Sequence, residues 1–238
     1  MNPAKKLLFI DIETHPAIIA SWSIRAPYAG AVWVERNTFI LCFSAKWAHE
    51  KKVRVHSLPD YPRYKKDRYD DKPLCKELAR YLDEADIVCA HNGDRFDLPL
   101  IMGRLFMNNI REPSPFDRID TLKIARQFKL DSHKLDNISQ QKSGERKIPN
   151  TGGHLWRTCG EGDDKSWAKM CRYCAHDTEL LATRYEELAP WKRNHPALFN
   201  SGCPVCGSDN IHRRGRVRQT PKFQFNCRSC GHWWTAKP

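Results

Sequence analysis

At 238 residues, with 40% hydrophobic and 29% charged positions, the chain has room for one full-sized folded domain and a small appendage. No apolar run approaches the roughly 20 residues needed to cross a membrane, and the N-terminal stretch reaches an acid too soon for a secretory signal. A membrane protein is thereby excluded, and the cytoplasm of a bacterial or phage-infected cell is expected. The formal net charge of +12 points to polyanionic partners, the phosphate backbone first among them.

In chain order, Lys5–Thr14 reads as a buried strand, Leu7-Leu8-Phe9-Ile10, running out into Asp11 and Glu13. Ile40–Trp47 and Val53–Leu58 follow as strands, then a charged, proline-containing loop over Pro59–Pro73. Leu74, Leu78 and Leu82 carry helical spacing to Glu84, Ile87–Ala90 is a short strand, and Phe96–Asn108 a helix. Further helices are expected over Thr121–Phe128, Lys134–Gln141 and Ser166–Leu188. A hinge, APWKRNHP, leads into the final 38 residues. Strands alternating with helices predict a mixed α/β domain with a central sheet over residues 1–188, a linker over 189–200 and a separate small tail over 201–238.

Three acidic motifs stand out. Asp11 and Glu13 are two apart on a strand, so both point to one face, where paired carboxylates repel unless a hard cation such as Mg²⁺ or Mn²⁺ lies between them. His91-Asn92-Gly93-Asp94-Arg95-Phe96-Asp97 spans a strand-to-helix junction; taken alone, Asp97 could simply compensate the charge of a helix N-terminus. Tyr173 and Asp177, four apart, share a face of the long C-terminal helix. Each motif by itself also fits surface acids, a turn asparagine or a half-buried tyrosine.

In combination and in order, strand–DxE, NxxxFD at a junction and YxxxD on a late helix resemble the three motifs of the DEDD (DnaQ-like) exonuclease superfamily. Ile119-Asp120-Thr121-Leu122-Lys123-Ile124-Ala125-Arg126 and Lys134-Leu135-Asp136-Asn137-Ile138 are similar to segments of exonucleases related to the proofreading domain of family-B DNA polymerases. The resemblance covers Lys5 to Leu188. Arg172 stands where the histidine subtype needs its base, whereas Tyr173 matches the tyrosine subtype. The resemblance implies a ribonuclease-H-like mixed sheet flanked by helices and 3′–5′ hydrolysis of nucleic acid to nucleoside 5′-monophosphates. It further implies two Mg²⁺ or Mn²⁺ ions held by Asp11, Glu13, Asp97 and Asp177, a water-orienting role for Tyr173, and contacts to the terminal nucleotide from Thr14, Asn92 and Phe96. DNA is favoured over RNA; an exoribonuclease is the nearer alternative.

The tail carries Cys203-Pro-Val-Cys206-Gly and Cys227-Arg-Ser-Cys230-Gly, a spacing that suits one tetrahedral structural Zn²⁺. With so little chain around it, metal ligation would supply much of the tail's folding free energy. It resembles the zinc ribbons of transposases and other DNA-handling proteins. Seven Lys/Arg against one Asp put half of the net charge here. Arg213, Arg214, Arg216, Arg218 and Lys222, interleaved with Phe223 and Phe225, are expected to bind nucleic acid. Docking to a replication or repair protein is the alternative, as is an inert nuclease-like domain whose ribbon alone works. Cys171 and Cys174 fall on the apolar stripe of the long helix and read as buried thiols.

Overall fold

The first strand sets the architecture. In the computed structural model, which describes residues 5–25, 30–150, 152–217 and 222–236, β1 (Leu7–His15) sits at the centre of a five-stranded sheet. Antiparallel β4 (Phe39–Trp47) and β5 (Arg54–Ser57) lie on one side, and parallel β6 (Ile87–Ala90) and β7 (Asp117–Asp120) on the other. Between β1 and β4 the chain makes a two-stranded hairpin, β2 (Ile18–Ala20) and β3 (Trp33–Arg36).

Side chains alternate along β1, so its even positions Leu8, Ile10 and Ile12 enter one apolar cluster and Leu7 and Phe9 enter another. The first cluster is closed by α1 (Lys72–Glu84), α2 (Asp97–Met107) and α5 (Gly153–Glu161). The second is closed by α3 (Thr121–Ala125), α4 (Leu135–Ser143) and residues of the C-terminal region. The long α6 (Asp164–Leu188) serves both: Trp167, Met170 and Cys174 join the first cluster, Leu180, Leu181, Tyr185 and Leu188 the second. Asp177 falls at the seam.

The mixed α/β sheet expected from the sequence is present. Several details differ. Residues 59–73 hold two short 3₁₀ turns, Leu58–Asp60 and Pro62–Lys65, because Asp60 accepts from the Ser57 N–H and hydroxyl and prolines open both turns. The helix expected to reach Phe128 ends at Ala125. Strand β7 and helix α5 have too few periodic residues to stand out in the sequence, and pairing with β6 and packing on β1 make them.

The tail forms a three-stranded antiparallel sheet of β8 (Ile211–Arg216), β9 (Phe223–Cys227) and β10 (Trp233–Ala236). It is seated on the main domain. Leu198, Phe199 and Val205 pack on the second cluster, His232 Nδ1 lies 2.9 Å from the Pro190 carbonyl, and Tyr185 hydrogen bonds His195 at 2.9 Å. Residues 189–200, expected as a linker, are therefore part of the packed structure.

Candidate functional site

The odd face of β1 is apolar at Leu7 and Phe9 and acidic at Asp11 and Glu13, so the carboxylates stand at the edge of the second cluster. Helix α6 is fixed above them by Ser44, the register partner of Asp11 on β4. Its hydroxyl donates to the Cys174 carbonyl at 2.8 Å and lies 2.6 Å from Thr178 Oγ1. One helical turn links Cys174 to Asp177, and the result is that oxygens of Asp11, Glu13 and Asp177 lie within 4.8 Å of one another. A register shift between Glu13 and Thr14 ends the regular ladder just beyond these acids.

Asp97, on α2, lies outside that 4.8 Å group and is tied to β1 beside it. It is 4% exposed and its Oδ1 accepts from the Ile12 N–H at 3.3 Å, tying the start of α2 to β1. Solvated compensation of a helix end, the plain reading of Asp97 in isolation, is thereby replaced by a buried tether. The turn before it needs its glycine, since a Cβ on Gly93 would lie 2.4 Å from that of Ala90. Asn92 adopts φ +68° there. Asp120 holds this turn by accepting from the N–H groups of Asn92 (2.9 Å) and Asp94 (3.4 Å) while capping α3 through Leu122 N–H (2.9 Å).

The electrostatics are those of crowded anions shielded from water. Burial first, then Glu13, Asp97 and Asp177, push the Asp11 carboxyl well above the ordinary range. Burial raises Glu13 to about 7 against the pull of the Trp156 indole N–H, which donates to its Oε2 at 2.7 Å. Burial raises Asp97 to about 7 and also lifts Asp177, where Lys147 opposes it. Lys147 Nζ pairs with Asp177 Oδ2 at 2.5 Å and lies 5.5 Å above the Tyr173 ring. Burial disfavours its charge, but Asp177 and Asp11 outweigh that and keep it protonated. Asp177 Oδ1 is buried with no hydrogen-bond partner among the described residues. Three converging carboxylates, an orphaned oxygen and a local excess of acid fit hard divalent cations.

Burial and Asp177 push the Tyr173 phenol up, so it stays protonated at neutral pH, and it packs edge-on against Trp156 at 5.9 Å. Phe96 is 46% exposed, and Thr14 follows Glu13 at the strand's irregular end. His176 turns away, its Nε2 2.8 Å from the Arg146 carbonyl. Lys147, Trp156 and Asp120 went unread in the sequence. Asp120 alone left a signal there, as the residue before a helix start; nothing local marks a lysine or tryptophan that tertiary contacts bring to an acid.

The four tail cysteines also converge. Their sulfurs lie within 4.8 Å of one another, with Cys203–Cys230 at 3.7 Å and Cys206–Cys227 at 3.6 Å. Gly207 and Gly231 take φ +73° and +81°, and their N–H groups bond to the carbonyls of Cys203 and Cys227. Each C-x-x-C-G thus closes a tight turn at its glycine, and four thiols in this arrangement fit Zn²⁺. Cys171 and Cys174 belong to neither candidate metal site; the Cys174 thiol is buried 3.2 Å from Ser44 Oγ, whereas Cys171, expected to be buried, is half-buried. Arg213 and Arg216 lie over Phe223 and Arg214 over Trp233, at 4.8, 5.4 and 5.4 Å. The Lys222 carbonyl, just before β9, accepts from the Val217 N–H at 2.9 Å. Arg218 lies outside the described residues.

Among the described residues no helix is long and apolar enough to cross a membrane. Comparison with family models matches residues 8–189 to the RNase H superfamily. No curated protein sequence matches. Among solved structures the chain is similar to the family B DNA polymerase from the hyperthermophilic archaeon Pyrobaculum calidifontis, with a TM-score of 0.57 at 15% identity. That similarity covers 79% of this chain and 25% of the polymerase, so the chain spans about a quarter of its length.

Proposed function

The chain belongs to the RNase H superfamily, and from that premise we propose that it is a divalent-metal-dependent 3′–5′ exonuclease acting on DNA. The observation that carries the reading is the convergence of Asp11, Glu13 and Asp177 within 4.8 Å, with Asp97 tethered beside them, from three separated parts of the chain. Asp11, Glu13 and Asp177 would hold one Mg²⁺ or Mn²⁺, and Asp11 with Asp97 the second. Bound there, the ions would acidify a water and offset charge on the leaving oxygen.

The chain's own groups do the rest. Tyr173, held protonated, donates a hydrogen bond that aims the attacking water; a phenol with its proton this firmly held is no base. Attack at phosphorus breaks the bond to the 3′ oxygen. The water's hydroxyl stays on the released nucleoside 5′-monophosphate and its proton ends on the shortened strand's new 3′ hydroxyl. Lys147 supplies a fixed positive charge against the phosphate, and Trp156 holds Glu13 in place. Thr14, Asn92 and the exposed ring of Phe96 line the approach of the terminal nucleotide. DNA is preferred over RNA because the fold similarity is to a DNA polymerase. The tail cysteines would hold one structural Zn²⁺.

Digestion of 5′-labelled DNA and RNA oligonucleotides with Mg²⁺, Mn²⁺ or EDTA tests this. A ladder shortening from the 3′ end, metal-dependent and absent in Asp11→Ala and Asp177→Ala, is the expected result. Intact 3′ ends under every cation would end the proposal.

A further inference from the structure

A groove of about 990 Å³ runs between the last turn of α6 and the tail sheet. One wall is Trp191, Arg193 and Asn194, the other Gln224, Trp233 and Thr235. Trp191 is 60% exposed and Trp233 37%, and the guanidinium of Arg214 lies 5.4 Å over the Trp233 ring. Its apolar lining is Pro190 and three indoles, Trp191, Trp233 and Trp234, with the amides of Asn194 and Gln224 and the Thr235 hydroxyl among them. Exposed indoles with amide and hydroxyl groups between them suit flat, polar-edged rings instead.

A chain of side-chain contacts links the groove to the acidic centre. Lys147, paired with Asp177, also lines a cavity of about 560 Å³ with His91, Asn92, Arg126, His133 and Lys134. His133 hydrogen bonds the Phe128 carbonyl at 3.0 Å, and the Phe128 ring meets Trp191 edge-on at 5.2 Å. Among the described residues, Arg126, Lys134, Arg193 and Arg214 enter no ion pair. Of the groove's two carboxylates, Glu187 is committed to Arg184 at 3.1 Å, leaving Glu186. Arg126 and Lys134 in the cavity and Arg193 in the groove are thus cations without acidic partners, while the cavity's Asp136 is paired with Arg146 at 3.2 Å.

We propose that this groove is a stacking subsite for the unpaired substrate strand upstream of its 3′ end, so that the tail senses strand length. The inference rests on the nuclease reading above for what lies at the other end of the route. From Asp177 to Leu188 the helix rises about 16 Å. A strand stacked at about 3.4 Å per nucleotide needs about five nucleotides to cover that distance. Strands shorter than this occupy the acidic centre alone; longer ones add base–indole stacking at Trp191 and Trp233.

The test is equilibrium binding of 5′-fluorescent DNA of about 4 and about 16 nucleotides to the full chain without added Mg²⁺ or Mn²⁺, so that no strand is cut. Trp191→Ala should weaken binding of the long strand about 10-fold, the scale of one lost base–aromatic stack, and leave the short strand unchanged. Trp191→Phe should restore most of the loss. Thr235→Glu, which brings a carboxylate into the groove from the tail side, should give the same length-dependent loss through a residue outside the α6 turn. Wild-type affinity for the long strand in both Trp191→Ala and Thr235→Glu, or equal losses at both lengths, would overturn the proposal. Length-dependent losses in a protein that cuts no strand under any cation would support the groove while sinking the nuclease reading.

Discussion

The chain gathers anionic ligands twice, and the two places are built in opposite ways. The carboxylates of Asp11, Glu13, Asp97 and Asp177 stand on a central strand and two helices that two apolar clusters hold in place. The four thiols stand on short turns of a small tail in which, among the described residues, only Cys203, Gly207, Cys227 and His232 are buried. A metal bound by a frame that its own core folds can come and go, whereas a metal bound where there is almost no core becomes part of the fold. The carboxylate cluster even carries a stand-in cation, Lys147, whereas no basic side chain pairs with a cysteine among the described residues.

The largest expected effect tests the first half of that contrast. Asp11→Ala or Asp177→Ala should abolish cleavage, and Asp11→Ala should leave thermal stability no lower, since it relieves a crowded, dehydrated acidic cluster, whereas Asp177→Ala also strips Lys147 of its partner; digestion assays and calorimetry read both. Unfolding of these variants would show that the carboxylates are structural after all. In the tail the balance reverses: Cys227→Ser should release zinc, measured by metal analysis, and unfold the tail while cleavage of short strands persists.

Lys147→Ala should lower kcat by about 100-fold, the scale seen when a charge-stabilising donor is removed, with little change in zinc content. Trp156→Phe keeps the ring but removes the N–H donor to Glu13. It should weaken Mn²⁺ activation by about 10-fold, seen as a shifted metal titration with the maximal rate nearly kept. The smallest effect is on pH. Burial holds Glu13 and Asp97 at about 7 in the fold, above their ordinary values, so between about pH 4 and pH 7 the folded chain binds more protons than the unfolded one. Without divalent ions the melting temperature should fall across that window as pH rises, and added Mn²⁺ should recover it increasingly towards and above pH 7, where the carboxylates charge. A Mn²⁺ effect equal at both ends of the window would break the link between burial and metal binding.

Much of this was legible beforehand. The apolar run of β1 with its two acids two apart, the leucine spacing of α1 and the apolar stripe of α6 extend over enough residues to declare themselves. The C-x-x-C-G pairs declare themselves too, because a left-handed glycine after a ligand pair is a local requirement, met here at φ +73° and +81°. Phe96 is 46% exposed, which its sequence context does not reveal. In the tail, Phe225 stacks on Trp234 and Trp234 on His232, and both Trp233 and Trp234 line the groove.

What the sequence determined by itself is therefore whatever depends on neighbours along the chain: strand and helix periods, which side chains share a face, and turns that need glycine. Tertiary structure alone decided which lysine meets Asp177, which indole meets Glu13, that α6 crosses from one apolar cluster to the other at the acid, and that the tail sits against Pro190. These are contacts between residues tens to more than a hundred positions apart. No local pattern encodes them, because their partners are chosen by how two separate apolar surfaces pack on one sheet.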